Sequence, residues 1–197
     1  MGTGTVFAAP GAVCHFPFQM AGLQATLFSA RSQSNHRKES HVVRGVRFVY
    51  VALTWAFVIG ILLQVYFIGL GLFSSSDYLE LHATFGWLLH LVPPFILLAA
   101  ALARTGRTRI LQTTGLAVLF FFVPILAAIR ADAPLTAAFH PVAAVLAFAL
   151  AIVVARGARS LLRSTEADAP TTLAEWILVA VIVVVYLALS LSGSPEA

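Results

Sequence analysis

Three of the six histidines lie in or beside long apolar stretches and are the side chains best suited to chemistry. His82 and His90 lie in the stretch Leu81–Pro94, and His140 lies just before Pro141. An ionisable side chain is costly inside a membrane, so a histidine there is by default a hypothesis for a functional site. An imidazole can ligate haem iron, handle a proton or form a hydrogen bond between helices.

Five apolar stretches predict the transmembrane helices that position these histidines. Apolar residues make up 60% of the chain and charged residues only 10%, which excludes an ordinary soluble domain. The predicted spans are Val46–Phe73, Tyr78–Ala103, Ile110–Ile129, Leu135–Ala155 and Leu173–Leu191. Asp77 with Glu80 fits a capping box at the start of the second span, and Thr172 with Glu175 fits one at the start of the fifth.

The basic residues predict the orientation of these spans. They cluster before the first span, between the second and third and between the fourth and fifth, whereas the opposite side carries only Arg130. Positive residues stay on the cytoplasmic side, which predicts an N-terminus inside and a C-terminus outside a bacterial plasma membrane. The net charge of +4 therefore indicates membrane orientation and a lipid bilayer as partner, not a nucleic acid.

The expected fold class is an all-α polytopic membrane protein with a four-helix core bundle and a peripheral fifth helix. The fifth span has no ionisable residue after Glu175 and is rich in Val, Ile and Leu, which favours a lipid-facing position. The predicted organisation is a flexible extension over 1–44, a bundle over 45–160, a cytoplasmic linker over 161–172, the fifth helix over 173–191 and a tail over 192–197.

The spacing of the histidines predicts two sites at different depths. His82 and His140 lie at similar depth near the outer interface, whereas His90 lies about 12 Å deeper, at a rise of 1.5 Å per residue. Pro93 and Pro94 remove donors for the carbonyls of Leu89 and His90, so the second span should kink there. Gln64 on the first span lies near the depth of His90 and is its expected hydrogen-bond partner.

The motif Leu81-His82-x-x-x-Gly86-x-x-Leu89-His90, with His140-Pro141 opening a later helix, resembles a group of small uncharacterised bacterial membrane proteins of unknown function. It more loosely resembles four-helix membrane b-type cytochromes, whose histidines on two helices bind haem. The resemblance covers roughly Arg47–Arg159. Three membrane histidines depart from a dihaem pattern, so the resemblance implies at most one bis-histidine haem.

Three functional hypotheses are compatible with these residues. The first is an electron-transfer protein with one haem b between the second and fourth spans, its axial ligands being His82 and His140. In this hypothesis, His90 and Gln64 would surround the axial ligands without binding the iron. Arg130 is a candidate partner for a haem propionate. A redox partner or a homo-oligomer is also expected. The second is a structural or accessory protein without a cofactor. The third is a proton or solute transport component acting through His90 and the proline kink. No nucleophile elbow or phosphate loop is found, so the chain is not expected to be an enzyme on its own.

Overall fold

A computed structural model describes the backbone of residues 18–163 and 170–192, with side chains from residue 41 onward. These residues form helices and no strands. The helices are α1 (Phe18–Phe73), α2 (Asp77–His90), α3 (Val92–Leu102), α4 (Arg107–Ala128), α5 (Pro134–Ala137), α6 (His140–Leu161) and α7 (Leu173–Ser192).

The chain divides into two compact units, Met1–Ser40 and His41–Ala197. The predicted flexible extension falls mainly in the first unit, and its residues 1–17 lie outside the described part of the chain. Most of the predicted linker, residues 164–169, and the tail from residue 193 also lie outside it. All of the described side chains belong to the second unit.

Five helical segments in the described residues are long and apolar enough to cross a membrane, which confirms the predicted fold class. They are His41–Phe73, Asp77–Leu102, Arg107–Ala128, Pro134–Leu161 and Leu173–Ser192. The fourth segment continues to Leu161 rather than ending at Ala155, because Val154, Ala155 and Ala158 still pack into the core.

The second span breaks where the two prolines predict it. α2 ends at His90, a turn at Leu91 follows, and α3 begins at Val92. Pro93 and Pro94 therefore lie in the first turn of α3, where backbone N–H groups have no acceptor within the helix, so the missing N–H groups of proline break no helical hydrogen bond there.

The first four spans share one hydrophobic core. α4 packs against α2, α3, α6 and α7, and Phe57 of α1 meets Phe120 of α4 edge to face with ring centroids 4.8 Å apart. α6 presents buried alanines to this core, at Ala147, Ala151, Ala155 and Ala158. Small side chains let helices approach closely where no water drives association. The alanine face of α6 is thus a packing surface.

Glycines bring α1 close to α2. A Cβ at Gly60 would lie 2.6 Å from Leu89, and one at Gly71 would overlap Leu79. Conversely, a Cβ at Gly86 of α2 would lie 2.5 Å from the side-chain nitrogen of Gln64. These close approaches place the face of the first span that carries Gly60 and Gly71 against the second.

α7 is largely exposed, as its composition predicts, but one face is buried. Val179 packs in a second cluster with Leu97, Ala101 and Ile110, and Tyr186 and Ser190 are buried further along the same helix. The helix is therefore not only lipid-facing, because Tyr186 and Ser190 point into the bundle.

Of the two predicted capping boxes, one is present. The backbone N–H of Thr172 donates to Glu175, and the N–H of Glu175 donates to the Thr172 hydroxyl. The box predicted at Asp77 and Glu80 is wrong: the N-cap of α2 is Ser76, which makes no side-chain capping bond.

Candidate functional site

His90 lies at the break between α2 and α3 and is 1% exposed. Its Nε2 lies 2.9 Å from the hydroxyl oxygen of Ser190, and its Nδ1 lies 3.1 Å from the hydroxyl oxygen of Tyr186. The Tyr186 hydroxyl also donates to the backbone carbonyl of His90 at 2.7 Å. Both partners come from α7, so this cluster joins the second span to the fifth.

The hydrogen bonds of this cluster assign one proton arrangement. A tyrosine hydroxyl has a single proton, and here it goes to the His90 carbonyl, because Pro94 cannot donate to that carbonyl. The Tyr186 oxygen can then only accept from Nδ1–H, and Nε2 accepts from the Ser190 hydroxyl. A neutral imidazole thereby has both nitrogens satisfied, and the carbonyl freed by proline has a donor.

Aromatic rings enclose the imidazole. The ring centroids of Trp87, Phe121 and Tyr186 lie 5.6, 5.7 and 4.9 Å from that of His90. These rings restrict the position of the imidazole, which also lies within hydrogen-bond reach of the backbone of Phe120.

The predicted hydrogen bond between His90 and Gln64 is wrong. The Gln64 side chain lies against Gly86, one turn before His90, and its Oε1 is buried without a hydrogen-bond partner among the described residues. The partners of His90 come from α7 instead.

His82 and His140 are half-buried and each makes one hydrogen bond. Nδ1 of His82 lies 3.1 Å from the backbone carbonyl oxygen of Gln64, and Nδ1 of His140 lies 2.7 Å from that of Val123. A carbonyl only accepts, so Nδ1 carries the proton in both rings and Nε2 of the neutral ring keeps its lone pair. Metal-ligating histidines commonly donate their other ring N–H in this way.

The two half-buried histidines lie at the same end of the bundle. α2 and α6, which carry them, both pack on α4, and each histidine lies near the start of its helix. Their placement near one end of the bundle agrees with the predicted similar depth. We call this end, with His82, His140 and Arg130, the histidine end.

Arg130 is exposed, and its side chain donates at 3.5 Å to the carbonyl of Ala127. Its assignment as a propionate partner stays a prediction. No group of three or more histidine, cysteine or acidic side chains in the described residues is arranged to hold a metal ion. The three histidines therefore do not form one metal site.

Tyr186 and Ser190 are site residues that the sequence analysis missed. They are four residues apart, so they lie on one face of α7, and Val179 precedes Tyr186 by two turns on the same face. Two hydroxyls at helical spacing within an otherwise apolar span were the available signal, since buried polar groups in a membrane need partners.

Comparison with known proteins gives one match. Residues 64–130 match a family of unknown function, DUF6220. The match covers about a third of the chain and includes Gln64, His82 and His90, but neither His140 nor α7. No curated protein and no solved structure matches the chain. The resemblance to an uncharacterised group is thus supported, and the looser resemblance to b-type cytochromes is not.

Proposed function

We propose that this chain is an accessory, non-enzymatic multi-pass membrane protein whose membrane histidines join its helices by hydrogen bonds. The observation that carries the proposal is the cluster of His90, Tyr186 and Ser190, in which every strong donor and acceptor has a partner within the chain. A proton relay through His90 would first require this network to open. Its closure favours a structural role over transport.

The bacterial plasma membrane is the proposed location, with the N-terminus inside. Its support is the distribution of arginines, because basic residues are retained on the cytoplasmic side. Reporter fusions after residues 105, 131 and 197 test it. We expect a cytoplasmic signal for the first and external signals for the other two, and the reverse pattern would contradict the orientation.

Single alanine substitutions of the three histidines test the structural role. Each variant should lower the resistance of the purified protein to unfolding, with no change in its absorption spectrum. His41→Ala is the matched control, since His41 is exposed at the start of the first span. A histidine whose removal leaves stability equal to that control does not join helices.

One observation favours a second candidate function, a b-type haem protein. Both His82 and His140 direct Nδ1–H to a backbone carbonyl, which leaves the Nε2 lone pair of each ring without a partner among the described residues. A bis-histidine haem requires two such nitrogens, and the chain would hold its iron through them. Such a haem supplies one-electron transfer, and the backbone carbonyls of Gln64 and Val123 would fix the orientation of its ligands.

A reduced-minus-oxidised spectrum separates the two candidates. The protein is expressed with ample haem supply and purified in mild detergent. Haem bands that vanish in His82→Ala and in His140→Ala, but persist in His90→Ala, would establish the haem function. Absence of haem bands in the unsubstituted protein would exclude it, and equal loss from all three variants would exclude this ligand pair.

A further inference from the structure

One end of the bundle is a concentration of arginines. Eight lie at this end, within α1 or near the termini of α3, α4 and α6, at Arg44, Arg47, Arg104, Arg107, Arg109, Arg156, Arg159 and Arg163. Among the described side chains at this end, Glu175 is the acidic residue, and its carboxylate caps α7. We call this the arginine end. Among the described side chains, this end therefore carries an excess of positive charge.

Side-chain bonds hold the helix termini together at the arginine end. Arg47 of α1 donates to the carbonyl of Ala103 after α3, and Arg109 of α4 donates to the hydroxyl of Ser160 on α6. The Thr171 hydroxyl before α7 donates to the carbonyl of Ala101. The helices that carry the arginines are therefore held together at this end.

Three exposed arginines lie at the end of α6. Arg156 and Arg159 are three residues apart near the end of the helix and share one face, and Arg163 follows in the turn after it. We call these three the arginine row. Within the described residues, the side chains of Arg156 and Arg163 make no hydrogen bond or ion pair.

The middle arginine of the row lies over a tryptophan of α1. The guanidinium carbon of Arg159 is 5.5 Å from the ring centroid of Trp55. Stacking on an indole restricts the guanidinium and leaves its N–H groups directed outward in the ring plane. The indole Nε1 of Trp55 is buried and has no acceptor among the described residues. The guanidinium of Arg159 and the indole N–H of Trp55 are thus neighbouring donors without an acceptor among the described residues.

We propose that this α1–α6 surface, formed by Trp55 and the Arg156–Arg159–Arg163 row, binds the phosphate of an anionic phospholipid headgroup. A phosphate oxygen supplies the acceptor that the indole N–H lacks, and guanidinium groups bind phosphate through paired hydrogen bonds. A lipid is the source that a membrane-spanning chain meets at its helix ends. The adjacent exposed apolar residues, Ile59 on α1 and Val153 on α6, offer contact to acyl chains.

The experiment uses the full-length protein in mild detergent. Binding of phosphatidylglycerol is measured by native mass spectrometry and by the rise in unfolding temperature, with phosphatidylcholine and inorganic phosphate as parallel probes. We expect phosphatidylglycerol to bind and stabilise. A basic residue near an anionic headgroup raises the affinity for the lipid about fivefold, so Arg159→Gln should weaken phosphatidylglycerol binding by about that factor.

Two further variants make the result specific. Arg130→Gln removes the same charge from an exposed arginine at the histidine end and should leave lipid binding unchanged. Trp55→Phe keeps the aromatic ring, removes only the N–H donor and should also reduce phosphatidylglycerol binding.

Three outcomes would overturn the proposal. The first is equal weakening by Arg159→Gln and Arg130→Gln, which would indicate a non-specific charge effect. The second is unchanged binding in Trp55→Phe. The third is stabilisation by inorganic phosphate equal to that by phosphatidylglycerol, which would indicate a free-anion site. The haem content and the stability of the histidine variants test the proposed function, and neither measurement depends on the outcome of these lipid-binding experiments.

Discussion

The histidines of this protein occupy two contrasting settings. His90 lies buried at a helix break with both ring nitrogens bonded to α7, whereas His82 and His140 lie half-buried with one ring nitrogen each bonded to a backbone carbonyl. The first setting is complete within the chain. The second leaves Nε2 of each ring for a further partner. Burial and polar neighbours, rather than residue type, separate a histidine that joins helices from one that can serve as a ligand.

The largest expected effect is that of His90→Ala. The substitution leaves a cavity among Trp87, Phe121 and Tyr186 and removes the two ring nitrogens that Ser190 and Tyr186 contact, while the bond from Tyr186 to the backbone carbonyl remains. We expect the free energy of unfolding to fall by about 2–4 kcal/mol. Titration with a denaturing detergent, followed by circular dichroism, measures it. A change as small as that of the exposed control His41→Ala would remove the distinction between the two settings.

Tyr186→Phe should have the next largest effect. It keeps the ring but leaves the His90 carbonyl, which Pro94 cannot satisfy, without a donor. The expected loss is about 1–2 kcal/mol in the same titration. Tyr66→Phe is the matched control, because the Tyr66 side chain is exposed. Equal stability of the two phenylalanine variants would show that the buried hydroxyl does not support the helix break.

His82→Ala and His140→Ala should each cost less, about 0.5–1 kcal/mol, because each removes one hydrogen bond from a half-buried position. The measurement is the same titration, performed on protein purified without added haem. A loss as large as that of His90→Ala would show that these two histidines are equally integral to the bundle.

Gln64→Leu should have the smallest effect. Its side-chain oxygen is buried without a partner among the described residues, so an apolar replacement of similar size removes a desolvated group and breaks no described side-chain bond. We expect a change within about 0.5 kcal/mol, of either sign. A loss comparable to that of Tyr186→Phe would mean that the Gln64 side chain does support a histidine.

The sequence was sufficient for the membrane architecture because its signals are local. Apolar length predicts the spans, and Pro93 with Pro94 predicts the break after His90. The shared depth of His82 and His140 also follows from counting along helices. The hydrogen-bond partners of His90 could not be predicted in this way, because they depend on which helix packs beside α2. That helix is α7, and its Ser190 lies 100 residues after His90 in the chain. Depth alone could not distinguish Gln64 from Tyr186.

The break at Leu91 has a consequence for how the chain is assembled during synthesis. α7 is synthesised after the first four spans, so these spans enter the bilayer while the carbonyl of His90 still lacks the tyrosine hydroxyl that satisfies it. Until α7 docks, the break between α2 and α3 has a carbonyl without a donor. Docking of α7 therefore completes the hydrogen bonds at this break.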